Sequence, residues 1–128
     1  MKCTLYIINL TTFIIIYFAL SIIIAFITHG QRIELCADGP GFWLEQHVDI
    51  PEKLMTLQVY IGSGNSVWGT TIYTQPDVVY KNLPFIHNTG WLSVLGEPVL
   101  HGVMKNKVDG YRKSVIINYV TDWKDTEQ

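Results

Sequence analysis

An uncharged apolar run near the start of the chain constrains the fold more than any other feature of the sequence. Residues 5–27, LYIINLTTFIIIYFALSIIIAFI, contain no charged side chain. They are long enough for one membrane-spanning helix, which needs about 20 residues. A helix that is apolar on every face requires either a membrane or a much larger protein to bury it. The run therefore predicts one N-terminal hydrophobic helix, within residues 1–30, ahead of a separate domain.

Two alternatives stay open for this helix. A cleaved secretory signal has a basic start, an apolar stretch and a small-residue cleavage site, and Lys2 and Thr28-His29-Gly30 supply the first and the last. An uncleaved signal-anchor agrees better with the length of the run. In both cases Lys2 and the initiating amine favour an N-terminus inside, with residues 31–128 outside. The sequence thus predicts an extracytoplasmic protein, secreted or single-pass, that contacts the membrane through residues 5–27.

The rest of the chain has the period of β-strands. Residues 55–61, MTLQVYI, alternate in the manner of a half-buried strand. Further strand-like runs, separated by turn residues, lie at 32–36, 43–48, 67–74, 91–95 and 114–120. The first two of these are predicted to form a hairpin around Asp38-Gly39-Pro40-Gly41. We therefore predict an all-β, two-sheet antiparallel sandwich over residues 31–121, followed by a polar C-terminal tail, residues 122–128.

The charge pattern excludes two kinds of partner. The chain has 9 basic and 11 acidic residues, a net charge of −2 and a pI near 6.0. No run of Lys or Arg is present, and electrostatic binding to nucleic acid requires a basic patch, so no nucleic-acid partner is expected. The apolar run is not flanked by the polybasic stretch that would bind anionic lipids.

Aromatic side chains and one cysteine are the candidate contact points of the β domain. Cys36 would be the single thiol of the outer domain, either buried or available for an intermolecular disulfide that links a dimer. One exposed Trp beside Tyr60 or Tyr80 would offer a patch for a protein partner. The tryptophans are Trp43, Trp68, Trp91 and Trp123.

We recognise no catalytic motif in the sequence. A nucleophile needs a base within reach and a third group to orient that base. Cys36 with His47, His87 or His101 is one conceivable combination and would make an extracellular hydrolase. The histidines lack the His-x-His or His-x3-His spacing that presents two imidazoles to zinc on one face. We therefore predict that the protein is not an enzyme and keep the Cys–His hydrolase as a third alternative.

Four segments of the β domain resemble the motifs of a βγ-crystallin domain. Ser63-Gly64, residues 67–77 and Tyr80-Lys81-Asn82 are similar to the folded hairpin of the second motif, with Asn82 in place of a left-handed Gly. The other segments are residues 32–38 with Phe42, residues 52–59 and residues 109–116. The resemblance implies two Greek-key halves across residues 32–118, and so a Greek-key sandwich.

The resemblance also implies a ligand, because calcium is characteristic of βγ-crystallin domains. The two calcium loops would be residues 51–56 and 109–114. Met55 and Lys113 stand where each loop needs a hydroxyl oxygen, so both loops are vestigial. The metal-site residues that survive are Glu52, Thr56, Asp109 and Ser114. We expect weak or absent calcium binding and no other cofactor.

Location, resemblance and the lack of a catalytic motif together predict an extracytoplasmic βγ-crystallin-like module that acts through its surface as a binding or structural protein. The alternative is a small single-pass accessory or envelope-type membrane protein whose outer β domain binds a protein partner. N-terminal sequencing would separate the two. A start near Gln31 would indicate a secreted module, and an intact Met1 or Lys2 a membrane protein.

Overall fold

The fold is built from β-strands. The structure, a computed structural model, describes residues 5–9, 11–12, 14–16, 19, 30–93 and 99–121. The strands of this part of the chain are β1 (Leu5–Asn9), β2 (Gly30–Asp38), β3 (Leu44–His47), β4 (Lys53–Ile61), β5 (Thr70–Gln75), β6 (Val78–Leu83), β7 (Thr89–Ser93), β8 (Leu100–Val103) and β9 (Arg112–Val120). A 3-10 helix, Ser66–Trp68, precedes β5, and the backbone is helical at 11–12, 14–16 and 19.

The strands form two antiparallel sheets. The first has five strands in the order β1-β7-β4-β9-β2, and the second has four in the order β3-β8-β5-β6. Buried side chains of both sheets, among them Tyr60 from the first and Ile72 from the second, form a shared apolar cluster. The prediction of an all-β antiparallel sandwich is therefore confirmed. The Greek-key connectivity and the crystallin likeness stay predictions.

The predicted hairpin between the first two strand-like runs is wrong. β2 pairs with β9, from Gly30 opposite Val120 to Asp38 opposite Arg112, whereas β3 pairs with β8 in the other sheet. The turn between them carries the chain across the sandwich. Gly41 adopts φ +85°, which favours glycine, and its N–H donates to Val108 O at 2.7 Å. The turn thus places the end of β2 in one sheet and the start of β3 in the other, on opposite walls of a cavity between the two sheets.

β4 is covered on both faces, not on one as the alternation predicted. Thr56 and Gln58 point between the sheets, where they line a cavity. Leu57 and Val59 point the other way, into a second apolar cluster on the outer face of the five-stranded sheet. The helical residue Ile16 packs against this second cluster. Residues that precede β2 thus contribute to covering a sheet face that would otherwise be exposed.

The predicted membrane segment is wrong. Leu5–Asn9 is strand β1, paired with β7 from Leu5 opposite Ser93 to Asn9 opposite Thr89. The start of the apolar run therefore belongs to the sheet, and neither a signal helix nor a membrane anchor over residues 5–27 agrees with it. No helix among the described residues is long and apolar enough to span a bilayer. The single-pass topology is corrected accordingly, and the extracytoplasmic location that rested on it loses its support.

Several smaller predictions are also corrected or left open by the structure. Tyr60 is buried, so it cannot flank an exposed Trp. Trp43 is partly exposed, with the Lys105 ammonium 3.9 Å from its ring centroid. Asn82 lies in β6 and lacks the predicted left-handed backbone; among the described residues the non-glycine positions with positive φ are Asp77, Asn88 and Asn106. Cys3, Trp123, the tail 122–128 and most of residues 10–29 lie outside the described residues.

Candidate metal centre

The centre is organised by the pairing of β3 with β8. Leu44 lies opposite Val103 and His47 opposite His101, so β3 holds one residue more than β8 between the two pairs. Such a bulge re-aims side chains locally and is frequent beside active sites. Gly102 permits the close approach of the two strands, because a Cβ there would lie 2.6 Å from Leu44 O. The two imidazoles are thereby brought together, with ring centroids 4.5 Å apart.

A carboxylate completes the cluster. Asp49 follows His47 by two residues, just beyond the end of β3. One ligand atom from each of His47, Asp49 and His101 can be chosen so that all three lie within 4.8 Å of one another. That spacing suits three ligands of one metal ion, since ligand atoms about 2 Å from a shared ion lie 3–4 Å apart. Among the described residues, these three form the one group of His, Cys, Asp or Glu side chains close enough together to hold a metal ion.

Hydrogen bonds fix the tautomer of both histidines. His47 Nδ1 lies 2.8 Å from Glu45 O, and His101 Nδ1 lies 2.8 Å from Val99 O. A carbonyl oxygen only accepts, so each Nδ1 carries the proton and donates it. Each Nε2 therefore keeps its lone pair for a metal. Orientation of a ligating imidazole through its other nitrogen is a usual feature of metal sites.

The protonation state of His101 also suits metal binding. Burial lowers the pKa of His101 below its ordinary value, and the hydrogen bond to Val99 O and the charge of Asp49 oppose this only in part. Because a metal binds the neutral ring, a lowered pKa reduces competition from protons. The ring packs against Trp91, at 5.5 Å between centroids, which contributes to its burial.

The buried imidazole gives the metal-free protein a defined pH dependence. Because the unfolded chain takes up a proton near pH 6.5 and folded His101 does so only at lower pH, the unfolded state binds more protons in this window. We expect the free energy of unfolding to fall as pH decreases through 6.5, by at most about 1.4 kcal/mol per pH unit from this group. Urea denaturation at several pH values measures it. His101→Gln should reduce the slope, and an equal slope in both proteins would contradict it.

The carboxylate of Asp49 is held by its neighbours. Lys53 Nζ donates to Asp49 Oδ1 at 2.8 Å. Thr56 Oγ1 lies 3.4 Å from Asp49 Oδ2 and 2.9 Å from Asn118 Oδ1, so its single proton is better placed on Asn118. Burial opposes ionisation of Asp49, but the hydrogen bond and charge of Lys53, followed by the two histidines, lower its pKa overall. Asp49 is thus an ionised ligand with Oδ2 available.

The cluster opens into a cavity of about 240 Å³ between the two sheets. Arg112, the first residue of β9, lines the same cavity and its side chain is only 4% exposed. Arg112 Nε donates to Trp68 O at 2.6 Å, Nη1 to Asp38 Oδ2 at 2.7 Å and Nη2 to Thr70 Oγ1 at 3.3 Å. A buried guanidinium in a cavity marks a place for an anionic group, since carboxylates match its geometry.

A hydrogen-bond network surrounds this guanidinium. The Tyr60 hydroxyl lies 2.7 Å from Thr70 Oγ1 and accepts from Thr70 N at 3.1 Å. Gln58 accepts from Trp91 Nε1 at 2.9 Å and donates to Ser114 Oγ at 3.0 Å. Burial raises the pKa of Tyr60, with Arg112 opposing this, so the phenol stays protonated. These polar groups hold one another in place, which gives the cavity a fixed polar wall.

The donor set decides which metals fit. Calcium takes six to eight oxygen ligands, and a site with two imidazoles does not supply them. Imidazole suits zinc, copper, iron and nickel. Two histidines and one carboxylate with open positions form the facial set that non-haem Fe(II) oxygenases use. The residues present therefore fit Fe(II), and calcium is not supported as the metal of this protein.

The sequence-derived calcium residues are not members of the His47–Asp49–His101 cluster, although Thr56 lies beside Asp49. Glu52 O accepts from Thr121 N at 3.0 Å, and Thr56 is buried on β4. Asp109 Oδ1 accepts from Trp68 Nε1 at 2.8 Å. Ser114 is buried in β9 as the acceptor of Gln58. Thr56 lies opposite Asn118, whereas Ser114 lies opposite Tyr60, four residues further along β4. Vestigial calcium loops at these positions stay a prediction.

Cys36 lines the same cavity from β2 and is a free thiol. Burial raises its pKa, and the charges of Asp38 and Glu34 raise it further. Since the thiolate is the nucleophilic form, these surroundings do not activate Cys36. The predicted alternative of a Cys36–His hydrolase therefore has no support in the geometry, and a Cys36-linked dimer stays a prediction.

The sequence contains a local signal for part of the His47–Asp49–His101 cluster. His47 and Asp49 form a His-x-Asp pair, and in an extended segment residues i and i+2 point to the same side. The His-x-His and His-x3-His spacings pair histidines only with one another and do not include this His-x-Asp pair. The third ligand, His101, is 54 residues from His47 and could not be assigned from spacing, because β3–β8 pairing brings it there.

Comparison with known proteins bears on the fold. No protein-family model matches the chain, and no curated protein matches its sequence. Among solved structures, a Pseudomonas putida prolyl-4-hydroxylase matches with a TM-score of 0.61 and 14% identity over 88% of this chain and 65% of that one. A viral collagen prolyl hydroxylase from Paramecium bursaria Chlorella virus-1 matches with a TM-score of 0.53 and 14% identity over 94% of this chain and 76% of that one.

These findings contradict the predicted non-catalytic binding or structural module and the predicted lack of enzyme activity. Three metal-ligating side chains converge in a cavity, and the two similar structures are of enzymes. Neither of the two is a crystallin. The chain spans 65% of the length of the Pseudomonas putida enzyme, and the identity is low, so the likeness establishes a shared fold with these hydroxylases.

Proposed function

We propose that this protein is a non-haem Fe(II) oxygenase that hydroxylates a C–H bond of an organic substrate. The convergence of His47, Asp49 and His101 carries this proposal, because the three offer a metal two imidazole nitrogens and one carboxylate. The names of the two solved structures with a similar fold, both prolyl hydroxylases, agree with this chemistry. Peptidyl proline is therefore the first substrate to try.

Each residue of the cluster has a separate task. His47 and His101 present Nε2, because their Nδ1–H groups are held by Glu45 O and Val99 O. Asp49 presents Oδ2, because Lys53 holds Oδ1. Fe(II) in this set would supply the activation of dioxygen. The protein contributes a fixed ligand geometry and a cavity between two sheets beside it.

Electron balance requires a co-substrate. Dioxygen accepts four electrons, hydroxylation of a C–H bond supplies two, and two more must come from elsewhere. A 2-oxo acid supplies them when it loses CO₂: substrate, O₂ and 2-oxo acid give hydroxylated substrate, CO₂ and the carboxylic acid shortened by one carbon. A 2-oxo dicarboxylate would also present a distal carboxylate to Arg112, a buried cation in the same cavity.

Turnover of the co-substrate tests the proposed reaction without knowledge of the substrate. The full chain, loaded with Fe(II) and supplied with oxygen, 2-oxoglutarate and ascorbate as reductant, is expected to form succinate and CO₂ in equal amounts. Asp49→Ala should abolish both. Proline-containing peptides added to the mixture should gain one oxygen atom by mass spectrometry if peptidyl proline is the substrate. Succinate formation that persists in Asp49→Ala, or none in the iron-loaded wild type, would contradict the proposal.

A further inference from the structure

One acidic side chain is paired with the buried guanidinium of the cavity. Asp38 and Arg112 are directly opposed in the β2–β9 ladder, and Arg112 Nη1 donates to Asp38 Oδ2 at 2.7 Å. Both residues line the cavity that holds the metal-binding cluster. The Arg112 side chain is 4% exposed and that of Asp38 is 19% exposed. The positive charge of Arg112 is therefore already balanced by Asp38. We call the part of the cavity around Arg112 the Arg112 subsite.

We propose that Asp38 is a built-in competitor that sets a low affinity for the distal carboxylate of the co-substrate. The inference rests on the proposed function, since it assumes that Arg112 receives that carboxylate. It assigns to Asp38 a role in specificity: with the charge of Arg112 balanced internally, the Arg112 subsite discriminates weakly between an anionic and a neutral polar group. A weakly bound co-substrate would also make the rate follow its concentration.

The structure holds Asp38 against Arg112 from two sides. The turn that follows Asp38 is closed by Phe42 N to Gly39 O at 3.1 Å and tied to the β8–β9 loop by Gly41 N to Val108 O at 2.7 Å. Arg112 is fixed independently by Trp68 O and Thr70 Oγ1. Arg112 cannot turn away without breaking these other bonds, and β2–β9 pairing and the turn hold the backbone of Asp38 beside it. With side chains 4% and 19% exposed, the pair is part of the cavity wall rather than a surface ion pair.

The charge of Asp38 lowers the affinity of Arg112 for a second carboxylate. A guanidinium has five N–H donors. Three of those of Arg112 are donated to Trp68, Asp38 and Thr70, Arg112 also hydrogen-bonds the Tyr60 hydroxyl, and the other two N–H groups are on Nη1 and Nη2. A ligand carboxylate can accept from these two, but it then shares one positive charge with Asp38 a few ångströms away. Two carboxylates in a partly buried site repel each other, and this repulsion lowers affinity for an anion but not for a neutral amide.

Two probes that differ in one group measure the effect in the wild type. 2-Oxoglutarate carries a distal carboxylate, and its 5-(N,N-dimethylamide) carries a neutral amide at the same position that cannot close to a lactam. Their affinities for the Co(II)-loaded full chain can be compared by titration calorimetry under nitrogen. We expect 2-oxoglutarate to bind less than about tenfold more tightly than the amide. A preference above about 100-fold would overturn the proposal, because it would show an unbalanced cation.

Substitution of Asp38 is the second measurement. Asp38→Asn keeps an oxygen acceptor for Arg112 and removes the charge, so it should raise the affinity for 2-oxoglutarate by about tenfold while leaving that for the amide unchanged. The matched control is Glu34→Gln, which removes a charge from the same strand and the same cavity wall but from a residue that pairs with Arg32. Equal gains in both variants, or equal changes for both probes, would show a general or structural effect and overturn the proposal.

Cobalt binding separates failure of this inference from failure of the proposed function. If the Co(II) absorption spectrum does not depend on His47, Asp49 and His101, the metal centre is absent and both proposals fall. If cobalt and 2-oxoglutarate both bind and Asp38→Asn weakens the binding of 2-oxoglutarate or leaves it unchanged, only the role of Asp38 falls. If cobalt binds and neither probe binds, the 2-oxo acid co-substrate falls together with the role of Asp38. Should Asp38→Asn not fold, the wild-type preference between the two probes still decides the question by itself.

Discussion

Replacing His101 with alanine is expected to lower the affinity of the protein for Fe(II) or Co(II) by about 100-fold or more. Loss of an outer partner of a metal ligand already costs 10–100-fold, and loss of the ligand itself costs at least as much. His101 is also buried, and the hydrogen bond from its Nδ1–H to Val99 O leaves Nε2 free to bind the metal. Its removal leaves His47 and Asp49, one imidazole and one carboxylate, which bind such ions weakly.

The d–d absorption of Co(II) reports this loss directly. Titration of the full chain with Co(II) gives the affinity from the visible band, and the shape of the band gives the coordination number. His87→Ala is the matched control, since His87 is an exposed histidine whose Nδ1 accepts from Gly62 N and which lies outside the cluster. Equal losses in His87→Ala and His101→Ala would show that binding is not at this centre.

Replacing Leu57 with alanine is expected to reduce the free energy of unfolding by about 2–5 kcal/mol. Leu57 is 0% exposed, at the centre of the apolar cluster on the outer face of the five-stranded sheet. Its neighbours there include Ile117, directly opposite in the β4–β9 ladder, and the helical residue Ile16. Truncation therefore removes buried methyl groups and leaves a cavity that packed strands can only partly close.

Leu35→Ala provides the comparison, because it is the same change on strand β2 of the same sheet at a residue that is 83% exposed. Its effect should stay within about 0.5 kcal/mol. Urea denaturation followed by tryptophan fluorescence measures both variants. If the two changes cost the same, the outer face of the sheet would not be covered as described, and the contact of Ile16 with it would be in doubt.

Local patterns in the sequence were sufficient to locate most strands. Alternation over residues 55–61 and the β-branched run at 114–120 correspond to β4 and β9, because strand formation follows side-chain periodicity and turn residues. The same patterns misjudged how strands pair. The turn at residues 38–41 was interpreted as a hairpin, although it joins two different sheets. A turn signal indicates that the chain reverses and does not indicate which strand becomes the neighbour.

The apolar run shows the opposite error. Length and hydrophobicity are the same for a segment that spans a membrane and for one whose residues lie in a protein core, and residues 5–27 meet both descriptions. What decided between them is an edge of the five-stranded sheet. β1 pairs with β7, and Ile16 contacts the cluster around Leu57. No property of the segment by itself contains that information, because the partners lie more than 40 residues further on.

The sequence by itself determined that this protein is built largely of strands, that it contains no run of Lys or Arg, and that His47 and Asp49 stand at a spacing that turns both to one side of an extended segment. Only the tertiary structure decided that three side chains able to hold a metal lie together. His101 and Arg112 reach the cavity from β8 and β9, and both positions depend on cross-strand pairing over more than 50 residues of chain. The physical reason is that a metal site needs several donors at one point, and long-range packing alone brings them there.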